Sequence, residues 1–338
     1  AFGIPGFDLP DISSTREESE SSSCSLFGEV DYAFTEEWSM QVGLRYYSDD
    51  RDFRFEQLTD SIIFGAVAGT TLQASGDDTD LAPKVSLSWK PGDDVMLYAK
   101  AAKGFRSGGT NPDSERSDLV PPDYDAEELW AYEIGAKTNL SSAVMANAGV
   151  YYNDWTNLQL PFITPDGLFP FTANAGAARA VGGELELFAV LAKGLSGSLN
   201  VAYTDAEISE QVENAVGGVV AQEGNEIPLT SEWTFDVGLD YRTPLTATMG
   251  GVLSARWAHR TPYYSGADNA EYQETEVYDQ VGLNVGVTTG GWGIDAYVDN
   301  LLDDASSTFK YNRVVAVPLT WVTYVRPRTI GIRFNVNF

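Results

Sequence analysis

The chain has 338 residues, 43% of them hydrophobic, and a formal net charge of −28, so it has little to offer phosphates and a nucleic-acid partner is excluded. One cysteine (Cys24) and one histidine (His259) exclude a disulfide framework and a Cys/His zinc site, and no Gly-x-Ser-x-Gly nucleophile motif is present. No run approaches the ~20 apolar residues of a membrane helix, a test that β-barrels escape because half of every strand faces water.

The start at Ala1 has neither a basic n-region nor an apolar h-region, and it reads as mature or truncated. Residues 1–23, rich in Pro and Ser with an acidic run around Glu17, read as an extracellular loop, and 24–338 read as strands joined by short turns and long loops. Leu26, Gly28, Val30, Tyr32 and Phe34 share one face of the first strand, and Trp38, Met40, Val42, Leu44 and Tyr46 one face of the next. A three-residue turn places Phe34 opposite Trp38 and sets apolar against apolar along the pair. In that register Glu29 is diagonal to Arg45, a reachable ion pair. Residues 48–80 are long, polar and acidic. Strands resume on either side of Pro91-Gly92-Asp93-Asp94, near Ser141-Ser142 and near Lys193-Gly194, with long loops between. Trp233, Phe235, Val237, Leu239 and Tyr241 alternate with Thr234, Asp236, Gly238 and Asp240. The Gly290-Gly291 turn sets Val287 against Ile294 and Val285 against Ala296. From Thr329 the chain alternates to its end at Phe338, with Ile330, Ile332, Phe334 and Val336 on one face and Gly331, Arg333 and Asn335 on the other.

This pattern amounts to about thirteen strands, and their connections alternate strictly between short and long. A soluble sandwich has no such rule. The aromatics sort by the same axis. Phe34, Trp38, Trp89, Tyr241, Trp292 and Phe338 lie at the short-turn or C-terminal end; Tyr46, Trp130, Tyr152, Trp233 and Trp257 lie towards the long loops. Two aromatic girdles, one per bilayer interface, follow. The fold class is therefore all-β, a transmembrane antiparallel β-barrel.

Five stretches resemble the C-terminal part of the TonB-dependent outer-membrane receptor family. They are Leu97-Tyr98-Ala99 through Lys103-Gly104-Phe105-Arg106-Ser107-Gly108-Gly109; Tyr132-Glu133-Ile134-Gly135-Ala136-Lys137; Asn174-Ala175-Gly176 followed by Gly182-Gly183-Glu184-Leu185-Glu186; Tyr297-Val298-Asp299-Asn300-Leu301-Leu302-Asp303; and Pro327-Arg328-Thr329-Ile330-Gly331 running to Phe338. The resemblance implies a barrel of about 22 strands, plugged by an N-terminal domain, that imports a scarce nutrient with energy passed on by TonB. Residues 1–338 would be the last ~13 strands, with roughly nine earlier ones and the plug outside them. Its implied cargo is most often a ferric siderophore or another iron complex; oligosaccharide or cobalamin import within the family, and a passive porin, are the alternatives. It implies no enzyme and no cofactor. Its implied partners are outer-membrane lipid and lipopolysaccharide, TonB through the plug, the barrel-assembly machinery through the strand ending at Phe338, and a small-molecule ligand. The location is the bacterial outer membrane.

Lys103 to Gly109 leaves a strand for a loop with no helix after it, so it fails the context of a phosphate-binding loop. The acidic stretches Ser48–Asp52 and Gly76–Asp80 offer clustered oxygens without EF-hand spacing, and a metal site is not assigned. Arg45, Asp236, Asp295 and Arg333 fall on the lumen face, where mixed charges pair across strands. The ligand candidates at the outer rim are Arg106, Phe162, Phe169, Phe171, Tyr263 and Tyr264, residue types that suit flat, anionic or sugar ligands. Loop-to-loop packing is the competing use of the same residues.

Overall fold

In the computed structural model, residues 14–60, 67–164, 169–174, 176–213, 218–314 and 318–336 are described. Strands are numbered in chain order. Thirteen of them form one wall: β1 (Thr15–Ala33), β2 (Trp38–Gln57), β3 (Thr71–Gly92), β4 (Val95–Arg106), β7 (Glu127–Ser141), β8 (Val144–Thr156), β11 (Ala178–Ala192), β12 (Leu195–Ile208), β15 (Trp233–Pro244), β16 (Gly250–Arg260), β17 (Tyr278–Thr288), β18 (Trp292–Asp299) and β21 (Thr329–Val336). Each pairs antiparallel with its neighbour in that order. The long connections carry four small hairpins: β5 (Gly109–Thr110) with β6 (Asp123–Tyr124), β9 (Gln159–Ile163) with β10 (Pro170–Asn174), β13 (Val212–Glu213) with β14 (Val219–Ala221), and β19 (Ser307–Val314) with β20 (Pro318–Tyr324).

Three of the short turns repeat one device. The Thr35 hydroxyl accepts the N–H groups of Glu37 (3.2 Å) and Trp38 (3.1 Å). Thr246 does the same for Thr248 and Met249, and Thr289 for Gly291 and Trp292. A hydroxyl one step before the bend meets donors that no ladder can reach. At Gly194 (φ +77°) an added Cβ would come within 2.0 Å of the Arg242 carbonyl, so only glycine fits that turn.

Register follows the sequence pattern. Val30 faces Val42, Val287 faces Ile294 and Val285 faces Ala296. Two expectations change. The loop assigned to residues 1–23 is strand from Thr15 onward, because Thr15–Ser25 ladder against Tyr47–Gln57 beyond the apolar part of the wall. The acidic stretch at 48–80 is likewise mostly strand: β2 runs to Gln57 and β3 begins at Thr71. Here backbone pairing outlasts the hydrophobic alternation, so side-chain periodicity ends before the strand does.

The two faces of the wall differ. Ile134, Val150, Leu253, Val285 and Ile332 share one face and are 50–74% exposed, a belt that requires apolar surroundings. On the other face Ala178 and Ile208, opposite each other on β11 and β12, are fully buried with loop residues Leu158, Leu160, Val212, Ala221 and Ala267. The long loops therefore fold over the polar face, and that face is the interior. Trp38 and Trp89 sit opposite each other on β2 and β3 and stack at 5.4 Å beside the short turns. Trp130 with Tyr132, and Trp233, Phe235 and Trp257 in a row, stack towards the long loops. Trp292 opens β18 next to its turn, and Phe338 lies outside the described residues.

Candidate ligand mouth and lumen wall

Ion pairs cross the interior face from strand to strand. Lys84 binds Glu29 at 3.1 Å, Arg256 binds Asp240 at 2.5 Å, and Arg333 binds Asp295 at 3.7 Å. The Glu29–Arg45 pair expected from the sequence is not made. Glu29 and Lys84 flank Gly43 in one row of three strands, and the missing side chain lets them meet above it. Arg45 instead lies over the Tyr47 ring at 5.4 Å. Asp236 sits in a row between Asn200 and Ala258. A cavity of about 620 Å³ runs down this wall between Tyr98, Glu133, Tyr151, Glu184, Glu186 and Trp155.

The motif stretches gain a structural reason on this face. The Tyr98 ring covers Gly135, Tyr151 covers Gly182 and Tyr297 covers Gly331; an added Cβ would come within 2.6 Å of the tyrosine in each case. Tyr98–Gly135 and Tyr297–Gly331 each lock together two of the stretches quoted above. The Tyr98 hydroxyl donates to Glu133, and the hydroxyls of Tyr151 and Thr204 share a bond of 2.6 Å.

At the rim, five of the six ligand candidates make side-chain contacts between loops. Phe169 and Phe171 are 5% exposed and pack with Val120, and Phe162 lies 5.8 Å from Phe171. The Arg106 guanidinium donates to Glu127 (2.6 Å) and to the Gln159 carbonyl (2.8 Å). The Tyr263 hydroxyl donates to the Thr308 carbonyl (2.7 Å), and the Tyr264 backbone forms a β-bridge with that of Glu274. These contacts show the competing use of the same residues, since long loops over a lumen bury their aromatics against one another. His259 is likewise occupied, 2.9 Å from Asp279 and packed on Trp257. The acidic stretches lie opposite each other, Asp49 across from Asp78, with Arg51 bound to Asp78 and to the Gly108 carbonyl. No metal-holding group of acidic, His or Cys residues occurs among the described residues.

Sequence reasoning missed the buried amides. Asn111, 4% exposed, donates to the carbonyls of Pro121 (3.0 Å) and Thr172 (2.8 Å) and accepts from the Thr172 N–H (2.9 Å). Gln159 donates to the carbonyls of Ser107 and Asp125, both at 2.9 Å. Asn300, in the left-handed region at φ +52°, donates to the carbonyls of Asp304 (2.8 Å) and Arg326 (3.0 Å) and ties the last long loop. Asn300 stood in a motif stretch; Asn111 and Gln159 carried no signal.

Beside the Tyr263 and Ser265 hydroxyls, a carboxylate latches the β19–β20 hairpin. Glu276 accepts from the Ser307 N–H (2.9 Å), the Ser307 hydroxyl and Lys310 (2.6 Å). Burial pushes its pKa up from the ordinary 4.5, but Lys310 and the Ser307 donors outweigh this and hold it at about 2. A carboxyl depressed in the folded state stabilises above its unfolded value and loses that contribution as pH falls through the folded one. The latch is thus expected to hold from neutral pH down to about 4.5 and to release towards pH 2. Glu276→Gln should release it at every pH. Hydrogen exchange of 307–324 checks this; equal protection in the variant at pH 7 contradicts it.

An antiparallel wall with an apolar belt outside, a charged interior and loops stacked over one end is the architecture of a membrane β-barrel wall. The family model for TonB dependent receptor-like β-barrels matches residues 1–301. The pesticin receptor of Yersinia pestis is 24% identical over 344 residues, covering 100% of this chain and 46% of that protein. The metal-pseudopaline receptor of Pseudomonas aeruginosa is 26% identical over 332 residues, covering 96% of this chain and 42% of that protein. Among solved structures, the ferric yersiniabactin uptake receptor of Yersinia pestis superposes with a TM-score of 0.80 at 20% identity, over 96% of this chain and 47% of that one. The siderophore receptor of Acinetobacter baumannii gives 0.70 at 18%, over 94% and 43%. The chain spans less than half the length of these relatives. It belongs to the TonB-dependent receptor family, as part of its β-barrel, and its place is the bacterial outer membrane. The relatives named here are receptors for pesticin, metal-pseudopaline, ferric yersiniabactin and a siderophore.

Proposed function

We propose that the chain is barrel wall and mouth of an active importer that takes up a ferric siderophore or another iron complex, driven through TonB, without bond chemistry. The observation that carries the reading is the family match over residues 1–301, joined to relatives named for siderophores and metals. The domain reading supports it. All twelve pairings in the wall are antiparallel, so β1 and β21 run the same way and cannot pair in that pattern; further strands fill the gap. A plug and a TonB-contacting segment outside residues 1–338 complete the machine. In this reading Arg45, Asp236, Asp295 and Arg333 face the lumen, and Trp38, Trp89, Trp130, Trp233, Trp257, Trp292 and Phe338 form the girdles. Lipid and lipopolysaccharide meet the apolar belt, and the assembly machinery meets the terminal strand. The test is growth of a deletion strain on single iron sources. Loss of growth on one ferric chelate, restored by the full-length gene only while TonB is intact, is expected. Loss confined to cobalamin or a glycan, or TonB-independent uptake, would replace this reading by another importer or by a porin.

A further inference from the structure

Resting on the outer-membrane placement and not on the choice of cargo, we infer that the outward face of the wall holds one acyl chain of a lipopolysaccharide molecule in a groove centred on Gly183. One row crosses this face from β7 to β15: Ile134, Val150, Gly183, Tyr203 and Trp233. All but Gly183 carry large side chains. The gap is a groove of about 600 Å³, lined almost wholly by apolar atoms. Two ring pairs wall it, Tyr132 with Tyr152 at 6.3 Å and Tyr203 with Trp233 at 4.8 Å. The interior does not require this glycine. Its neighbour Gly182 is covered by Tyr151, which an added Cβ would meet at 2.3 Å. A Cβ on Gly183 would lie 3.3 Å from the Gly149 carbonyl and 3.4 Å from Val150, a closeness that a small shift relieves, and its φ is not positive. The bare position leaves space outside the barrel rather than avoiding a clash inside it.

What fills the space follows from where it lies. The groove is continuous with the apolar belt, so its occupant is hydrocarbon. Gly183 is nearer the long-loop end of β11, at Ala178, than its short turn at Ala192, which places the groove in the outer leaflet. Lipopolysaccharide is the lipid of that leaflet. Above Gly183 on the same face of β11 come Val181 and then Arg179, in a row with Asp154 and Glu207. The hydrocarbon layer ends at this charged row, and a chain descending from the headgroups passes over Val181 into the notch. Glu207 already holds Arg179 at 2.6 Å, with Asp154 opposite it and Asp205 beside Val181. The row therefore offers little to a phosphate, and the headgroup does not carry the binding. Elsewhere on the belt a chain touches protein on one side. In the groove it touches rigid rings on either side and backbone beneath, and close packing is what holds apolar groups together in lipid.

The experiment uses the full-length receptor in mild detergent, with hexa-acylated lipid A added as probe, and reads bound lipid by native mass spectrometry. The parent is expected to retain one lipid A through a detergent exchange that strips the rest. Gly183→Phe, which fills the groove, should lower that occupancy at least ~10-fold, and Trp233→Ala, which removes a wall, should lower it as well. Ala296→Leu enlarges a side chain on the same face, between Val285 and Ile332 and away from the groove, and should leave occupancy unchanged. No retained lipid in the parent, equal retention in Gly183→Phe or Trp233→Ala, loss in Ala296→Leu, or a phospholipid retained in place of lipid A overturns the inference. Occupancy is read without any ferric ligand, so a failure of iron uptake bears on the proposed function alone.

Discussion

Val285→Arg is expected to lower unfolding stability in lipid by about 2–4 kcal/mol, and Asn284→Arg, one residue earlier, by much less. Val285 is 58% exposed in the apolar belt, between Leu253 on β16 and Ala296 on β18. A guanidinium there must stay in hydrocarbon or drag water into it. Asn284 lies on the opposite, polar face, in a row with Ser254 and Tyr297, away from the hydrocarbon. Unfolding titrations of the full-length receptor in liposomes check the pair. Equal losses would contradict the facing of β17, and with it the register set by Gly290-Gly291.

Asn111→Leu is the second large effect. It removes both arms of the bridge between the loop at 107–126 and the β9–β10 hairpin, leaving the Thr172 N–H and the Thr172 and Pro121 carbonyls without their partners. An orphaned buried group costs about 1–3 kcal/mol. These groups lie in loops that can open to water, so the expected result is local: faster proteolysis and hydrogen exchange at 107–126 and 159–174, with the wall unchanged. Gln159→Leu should do the same at Ser107 and Asp125. Protection equal to the parent would show that the loops are held by Phe169, Phe171 and Val120 alone.

The rim explains why functional residues were harder to read than strands. Arg106, Phe169 and Tyr263 have the chemistry of ligand contacts, yet each is used by another loop. The β19–β20 hairpin lies in a segment that reads only as a loop in the sequence. Its pairing sets Tyr311 opposite Trp321, a contact between strands that neither strand announces by itself.

From sequence alone, the thirteen-strand count, the alternation of short turns and long loops, the facing of Val285 and the register across Gly290-Gly291 were all determined. These are local properties: side-chain direction repeats every two residues, and a turn of known length transmits parity to the next strand. Tertiary structure alone decided the rest. Which carboxylate meets Lys84 depends on a glycine in the strand between, and why Gly135, Gly182 and Gly331 are glycines depends on a tyrosine from the adjoining strand. The loops follow the same rule. Their partners are tens of residues away, so whether an arginine or a phenylalanine is free for ligand is settled only when the neighbouring loop has taken its place.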